Sequence, residues 1–270
     1  MPRRPVAAAL LTTVFLAPLA FLLLGALHAP GGIPPTGLDI FPTHPSLKSF
    51  ERAFDLQPLG RQLGNSLLVV ALAVPLTVLT ASWAGFGMTL LGPRARRVAI
   101  VASLLMLVVP LPALWVPRFV MFAEAGLTDT YVPLIAPALM GTTSFYVLLF
   151  HWSYRRLPRD LLDAARLEGL GPWSIWRRVA SPLVRPTTFA VGALAFVFHW
   201  GNFIDPLLYL SDPDRYTLPL GLSALRGLAP GDFPARLAAA LVATVPAVIA
   251  FALVQGRFLR GTRGAGWLGR

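Results

Sequence analysis

Residues 67–79 read LLVVALAVPLTVL. The run carries no charge, and Thr77 supplies its one hydroxyl. Polar and apolar residues do not alternate, as they would over the ~10 residues of a barrel strand. A continuous apolar run of this kind belongs in a bilayer. No water reaches the backbone there, so the chain must satisfy its own hydrogen bonds, which a helix does. The whole composition agrees. Of 270 residues, 56% are hydrophobic and 13% are charged, against about 25% charged in a soluble domain. The mean hydropathy is +0.66. A soluble fold of this length cannot hide so much apolar surface, and the same numbers exclude intrinsic disorder. The expected fold class is an all-α membrane protein.

Crossing a hydrocarbon core of ~30 Å takes ~20 apolar residues. Six stretches meet that need: 6–28, 63–90, 98–116, 131–151, 187–210 and 237–255. They read as one transmembrane domain covering 1–270. The first stretch is too long for a signal-peptide core and no convincing small-residue cleavage site comes after it, so it reads as a retained span. Pro18, Pro75, Pro110, Pro112, Pro137, Pro206 and Pro246 lie inside these stretches. Each removes a helical hydrogen bond and kinks or breaks its helix. A kinked bundle suits a transporter, although proline is also common in membrane helices generally.

The charges orient the bundle. The formal net charge is +11, and Lys48 is the only lysine among 23 basic residues. With the N-terminus inside, the inner segments hold Arg3 and Arg4, then Arg94, Arg96 and Arg97, then the arginines of 152–186, then Arg257, Arg260, Arg263 and Arg270. The acids on that side are Asp160, Asp163 and Glu168. Lysine and arginine flanking the spans mark the cytoplasmic side, so both termini are expected in the cytoplasm of a bacterial or archaeal cell, below its cytoplasmic membrane. Residues 30–61 and 211–234 become polar outer segments. Cationic inner loops account for a basic chain without nucleic acid. Cysteine is absent, which removes disulfides, thiolate metal sites and cysteine nucleophiles. No H-E-x-x-H occurs, and His28, His44 and His151 lie at span ends or in a loop, so no metal site is expected. Arg118, near the outer end of the third stretch, is expected to snorkel toward the interface.

The inner loop 159–186 reads RDLLDAARLEGLGPWSIWRRVASPLVRP. Pro158 suits a helix start, and Asp160 and Asp163 lie toward its positive N-terminal end. Leu157, Leu161 and Ala164 fall on one face by helical spacing. Ala164 and Ala165 permit close approach by a partner. Gly169 is placed to end the helix in a left-handed conformation. Gly171-Pro172 then opens a second short helix carrying Trp173, Ile175, Trp176 and Val179. On physical grounds alone, two readings stand: a helix pair that meets a protein partner, or an interfacial pair lying on lipid.

The loop resembles a known family motif. Asp163-Ala164-Ala165, then Gly169, Val179 and Pro182, is similar to the E-A-A-x-x-x-G…I-x-L-P loop of binding-protein-dependent ABC importer permeases. Asp163 stands for Glu, Val179 for Ile, and Ser181 where Leu is usual. Asp keeps the charge with a shorter reach. The resemblance extends along most of the chain. Asn65-Ser66-Leu67 is similar to the family's N-S-L, and Pro110 to a proline of its third span. Gly126 to Tyr131, GLTDTY, resembles its outer G-L-x-D-T-Y segment. Trp200, Phe203 and Pro206 match part of W-N-D-F-L-W-P, and Gln255, Phe258, Arg260 and Gly261 part of the tail Q-R-Y-F-V-R-G. That tail resembles the carbohydrate branch, in the subunit similar to the second maltose-type permease.

The resemblance implies a permease that works with a second, different permease. It also implies two cytoplasmic ATPase subunits and an extracytoplasmic sugar-binding protein. The implied coupling residues are Asp163, Ala164, Ala165, Gly169 and Pro182, on a helix that seats in an ATPase cleft and transmits its closure. ATP and magnesium would be bound by that partner. Lys48-Ser49 lacks the glycine-rich lead of a phosphate loop, so no cofactor and no catalytic residue are expected in this chain.

Polar groups within a span face a cavity or a partner. His199, Trp200, Asn202 and Asp205 in the fifth stretch are therefore candidate pathway residues, with helix packing as the competing reading. Asp205 would also suit a cationic ligand. Rival functions are a permease of the same superfamily for glycerol phosphate, a polyamine or another small solute, and a membrane enzyme using Asp160 and Asp163 on lipid. The tail argues against polyamine, and the loop motif already accounts for Asp163.

Overall fold

The computed structural model describes residues 3–31, 40–139, 144–227 and 230–264, and among them there is no strand. The helices are α1 (Arg3–Ala26), α2 (Lys48–Leu56), α3 (Leu59–Leu90), α4 (Pro93–Val108), α5 (Leu111–Glu124), α6 (Val132–Ile135), α7 (Ser144–Arg155) and α8 (Arg159–Leu167). They continue as α9 (Pro172–Ile175), α10 (Ser181–Leu183), α11 (Arg185–Trp200), α12 (Ile204–Tyr209), α13 (Leu218–Ala224) and α14 (Phe233–Gly264). Residues 255, 258, 260 and 261 of the expected tail motif fall where only the backbone of α14 is described.

Some prolines end a helix and others do not: Pro18 and Pro246 lie inside α1 and α14. α3 runs unbroken through Pro75. The expected third span, 98–116, is instead two helices, α4 and α5, that meet at 92°. Val109 and Pro110 both take extended backbone, because a residue before proline is pushed out of the helical region, and Pro110 and Pro112 supply no N–H to carry the helix on. The expected fourth span, 131–151, opens with α6 and a 3₁₀ turn at Ala136–Ala138, and α7 extends past it to Arg155. The expected fifth span, 187–210, is broken after Trp200, with α12 resuming at Ile204. Before it, the segment Pro172–Leu183 meets α11 at 85°. α3 and the Phe233–Leu253 part of α14 are each long and apolar enough to cross a bilayer, and each bent pair qualifies if it counts as one span. α7, at 12 residues, is shorter than the ~20 that a crossing takes.

Two compact units form. The first combines residues 1–66 with 211–248. Here the polar segment 30–61 contributes α2, whose Ser49 and Ala53 are buried. Ser49 Oγ donates to His28 O, and Ser46 N to Leu27 O at 2.8 Å. Gly25 lies against the Leu237 side chain, closer than any β-carbon there would permit. Asn65 Nδ2 donates to the carbonyls of Asp214 and Tyr216 at 2.9 and 3.0 Å, while Ser66 Oγ accepts from Leu218 N at 2.8 Å, at the start of α13. The Asn-Ser pair therefore clamps the 214–218 segment onto α3.

The second unit combines residues 67–210 with 249–270. Its core joins Phe86, Leu148, Phe150, Tyr154, Ala165, Ile175, Trp176 and Val191. Close approach of α3 to α7 depends on Gly85. A β-carbon there would lie 2.7 Å from Phe150 Cβ, 2.8 Å from Val147 O and 2.9 Å from His151 N. Two of these are backbone atoms and cannot swing aside. Gly85→Ala is expected to destabilise the unit by about 1–3 kcal/mol, read as a lower Tm in detergent. Gly87→Ala meets nothing within 4 Å and serves as the control, with Tm unchanged or raised by the better helix former.

Candidate functional site

α8 is set by local chemistry. Pro158 precedes its first residue, Asp160 lies in its first turn and Arg166 in its last, so the charges complement the helix dipole. Gly169 takes φ +78°, the left-handed conformation that closes a helix and that glycine adopts without strain. Gly171 is extended and Pro172 starts α9. A π-helical turn, Trp176–Ala180, then carries the chain into α10. Such a turn inserts a residue into a helix and re-aims the segment beyond it. Nothing in the local pattern announces this one.

The face that shares Leu157, Leu161 and Ala164 divides: Leu157 packs against the core and the other two residues do not. Ala165 is buried and Leu162 packs on the same core, whereas Leu161 and Ala164 are exposed and Leu167 is 91% exposed. The two apolar stripes lie one residue apart in sequence, about 100° around the helix, and only the surrounding helices select between them. Asp163 faces outward beside Arg166, its Oδ1 2.6 Å from Arg166 Nη1. The pair of short helices is seated on the core of this chain through Ala165, Ile175 and Trp176.

A buried polar network holds the seat. Trp176 Nε1 donates to Ser82 Oγ at 3.1 Å and to Tyr154 Oη at 3.2 Å. Ser82 Oγ and Tyr154 Oη are 2.7 Å apart, and Tyr154 Oη is 3.2 Å from Ser181 Oγ. The network ties α3 and α7 to the chain beyond α8. Sequence reading missed it because its members are far apart along the chain. Tyr154→Phe removes the central hydroxyl and leaves buried donors short of a partner. The expected loss is about 1–3 kcal/mol, measured as a drop in Tm, with Tyr146→Phe as a reference tyrosine outside the network.

The fifth-stretch candidates are brought to the break between α11 and α12. Trp200 is buried and stacked on Phe196, ring centroids 5.6 Å apart. His199 is half-buried, edge-on to Phe198 at 5.2 Å. Asn202 and Asp205 hold each other: Asn202 Nδ2 donates to Asp205 Oδ2 at 2.7 Å, and Asp205 N donates to Asn202 Oδ1 at 3.2 Å. This reciprocal pair resembles a capping box at the start of α12. Arg118 does not snorkel. Its Nη1 lies 3.4 Å from Asp205 Oδ1, and its Nη2 donates to Pro133 O at 3.4 Å. The acid on α12 draws it inward. Its guanidinium also stands 6.0 Å from the Tyr209 ring centroid. Tyr209 packs against Phe119 and Phe122, and its carbonyl accepts from Asp129 N at 2.7 Å. Asp129 sits at φ +57° and Gly126 at φ +67°, so the GLTDTY turn is pinned directly to α12. Arg118 is the partner that fifth-stretch reading alone could not supply.

The family described as binding-protein-dependent transport system inner membrane component matches residues 60–264. The chain belongs to this family. It is therefore a membrane-embedded permease component of a binding-protein-dependent transport system. Relatives include a sulfoquinovosyl glycerol transport system permease protein of Agrobacterium fabrum, 31% identical over 270 residues, which cover 99% of this chain and 94% of that protein. An arabinooligosaccharides transport system permease protein of Bacillus subtilis is 29% identical over 256 residues, 93% of this chain and 90% of that one. A bacterial ABC transporter involved in import of the acidic polysaccharide alginate has a chain of the same fold, with TM-score 0.77 at 16% identity over 94% of each chain. The likeness in fold covers almost all of this inner membrane component.

Proposed function

We propose that this chain is one permease half of an ATP-driven sugar importer. α8 couples it to a cytoplasmic ATPase, and the break between α11 and α12 lies on the solute pathway. The carrying observation is α8 itself: a short helix locked to the core through Ala165 and ended by left-handed Gly169, with Ala164 exposed on its outer side. In a family that transports solutes, a rigid, small-residue surface of this kind is fit to be gripped. Movement of an ATPase cleft would pass through Asp163, Ala164 and Ala165, past Gly169 and Pro182, into the bent segment and α11. The Trp176–Ser82–Tyr154 network makes that path stiff.

Near end-to-end likeness to a sulfoquinovosyl glycerol permease and an arabinooligosaccharides permease supports a glycoside as the solute. His199 and Trp200 offer a ring and an aromatic face. Asn202 and Asp205 bond each other across the helix break, and broken helices within a membrane are where transporters place solute sites. In this reading six passes cross the membrane, with both termini and α8 on the cytoplasmic side. A second, different permease completes the pathway, and two ATPase subunits bind ATP and magnesium, so that this subunit is not catalytic. A sugar-binding protein delivers the solute outside.

The test is co-purification from native membranes, then ATPase assay and ligand screening of the proteins that accompany the chain. A second permease, an ATPase and a sugar-binding protein are expected. A chain that purifies alone with hydrolytic activity of its own overturns the proposal.

A further inference from the structure

We propose that the cleft between the start of α4 and the end of α7 binds an anionic phospholipid, its headgroup phosphate on Arg96, Arg97 and Arg155. This inference needs the chain to be in a membrane but is independent of the transported solute. The cleft has a volume of about 520 Å³ and is lined by Pro93, Arg96, Arg97, Ile100, Val101 and Arg155. Three arginines line it and no acidic residue does. Among the described residues, none of the three forms an ion pair with an acid. A neighbouring cleft of about 360 Å³ shares Arg96 and Arg155 and adds Arg159 and Arg166, against one carboxylate, Asp163, which is paired with Arg166. Like charges lining one cleft repel, and an anion between them relieves the repulsion. Guanidinium groups match the oxygens of a phosphate in pairs.

The remaining wall identifies the source of that phosphate. Ile100 and Val101 lie one turn beyond Arg96 and Arg97 along α4, away from its charged end. α4 buries none of its residues; Val98 is 69% exposed, Val101 48% and Leu105 63%. In a membrane protein that face is covered by acyl chains. A phosphate bound at the arginines with an apolar tail beside Ile100 and Val101 is the outline of a phospholipid. Inorganic phosphate would use the charges and leave the wall idle. Basic pockets between helices at the cytoplasmic side of a membrane have this chemistry for anionic headgroups.

The experiment is native mass spectrometry of the intact complex, delipidated and titrated with phosphatidylglycerol or phosphatidylcholine. Wild type is expected to retain phosphatidylglycerol, and Arg96→Gln/Arg155→Gln to lose retention roughly tenfold. Phosphatidylcholine is expected to bind weakly to both. Arg97→Gln, at an exposed residue, gives a second reading if the double variant fails to fold. Arg94→Gln, outside the cleft lining, is expected to keep retention. Four results each overturn the proposal. One is equal retention in wild type and both cleft variants. The second is an equal loss in Arg94→Gln, which makes the effect diffuse surface charge. The third is displacement of the lipid by millimolar inorganic phosphate, which makes the ligand a free anion. Release of a partner subunit, with lipid retention unchanged, assigns the arginines to a protein interface and likewise overturns it.

Discussion

Ala164→Trp is expected to lower ATP-driven uptake by roughly tenfold to a hundredfold while the permease itself stays folded. Ala164 is exposed, and a substitution on an exposed helix face away from the core shifts stability by only about ±0.5 kcal/mol. The same side chain in a close contact with an ATPase overpacks it, at a cost of about 1–3 kcal/mol, and each 1.4 kcal/mol is a factor of ten. Uptake by the full complex in proteoliposomes, beside the Tm of the purified permease, separates the two effects. Ala165→Trp is the contrast. Ala165 is buried with Ile175 and Trp176, so its enlargement is expected to lower Tm directly. Unchanged uptake by Ala164→Trp would remove α8 from the coupling role.

Arg118→Met is expected to cost about 1–3 kcal/mol of stability, the order of leaving a largely desolvated polar group without its partner. The Arg118 and Asp205 side chains are 19% and 13% exposed. Without the guanidinium, the partly buried Asp205 carboxylate keeps the Asn202 amide but loses the Arg118 charge. The α5–α12 seam also loses the bond to Pro133 O and the cation over Tyr209. Thermal unfolding in detergent reads the loss. The double variant Arg118→Met/Asp205→Asn is expected to recover much of it, because no charge is then left alone, and the cycle of four proteins gives the coupling directly. A single-variant Tm equal to wild type would show that the carboxylate has another source of compensation.

Legibility differs from residue to residue. Gly169 and Pro172 could be read in advance because a left-handed residue and a proline act within one turn of themselves. Pro110 was legible as a kink or a break within 98–116, which read as one span. The 92° angle across it was not, since the direction of the next helix depends on the surfaces both helices pack against. Asn65 and Ser66 stood out as a motif, but their task of clamping 214–218 depends on a segment remote in sequence. Asp205 was visible as a charge in an apolar stretch. Its partner Arg118 was visible too, and their pairing was not.

Composition and the unbroken apolar runs by themselves determined the solvent, the bilayer, and with it the helix as the only backbone form available. Local residues determined where those helices had to stop. The tertiary structure alone decided which stripe of α8 is buried. Leu162 with Ala165 and Leu161 with Ala164 are equally apolar, and only the positions of Trp176, Tyr154 and their neighbours distinguish them. It also decided which charges meet. Hydrophobicity and helix-breaking are properties of a residue and its immediate neighbours, whereas burial and ion pairing are properties of two surfaces brought together by the whole chain.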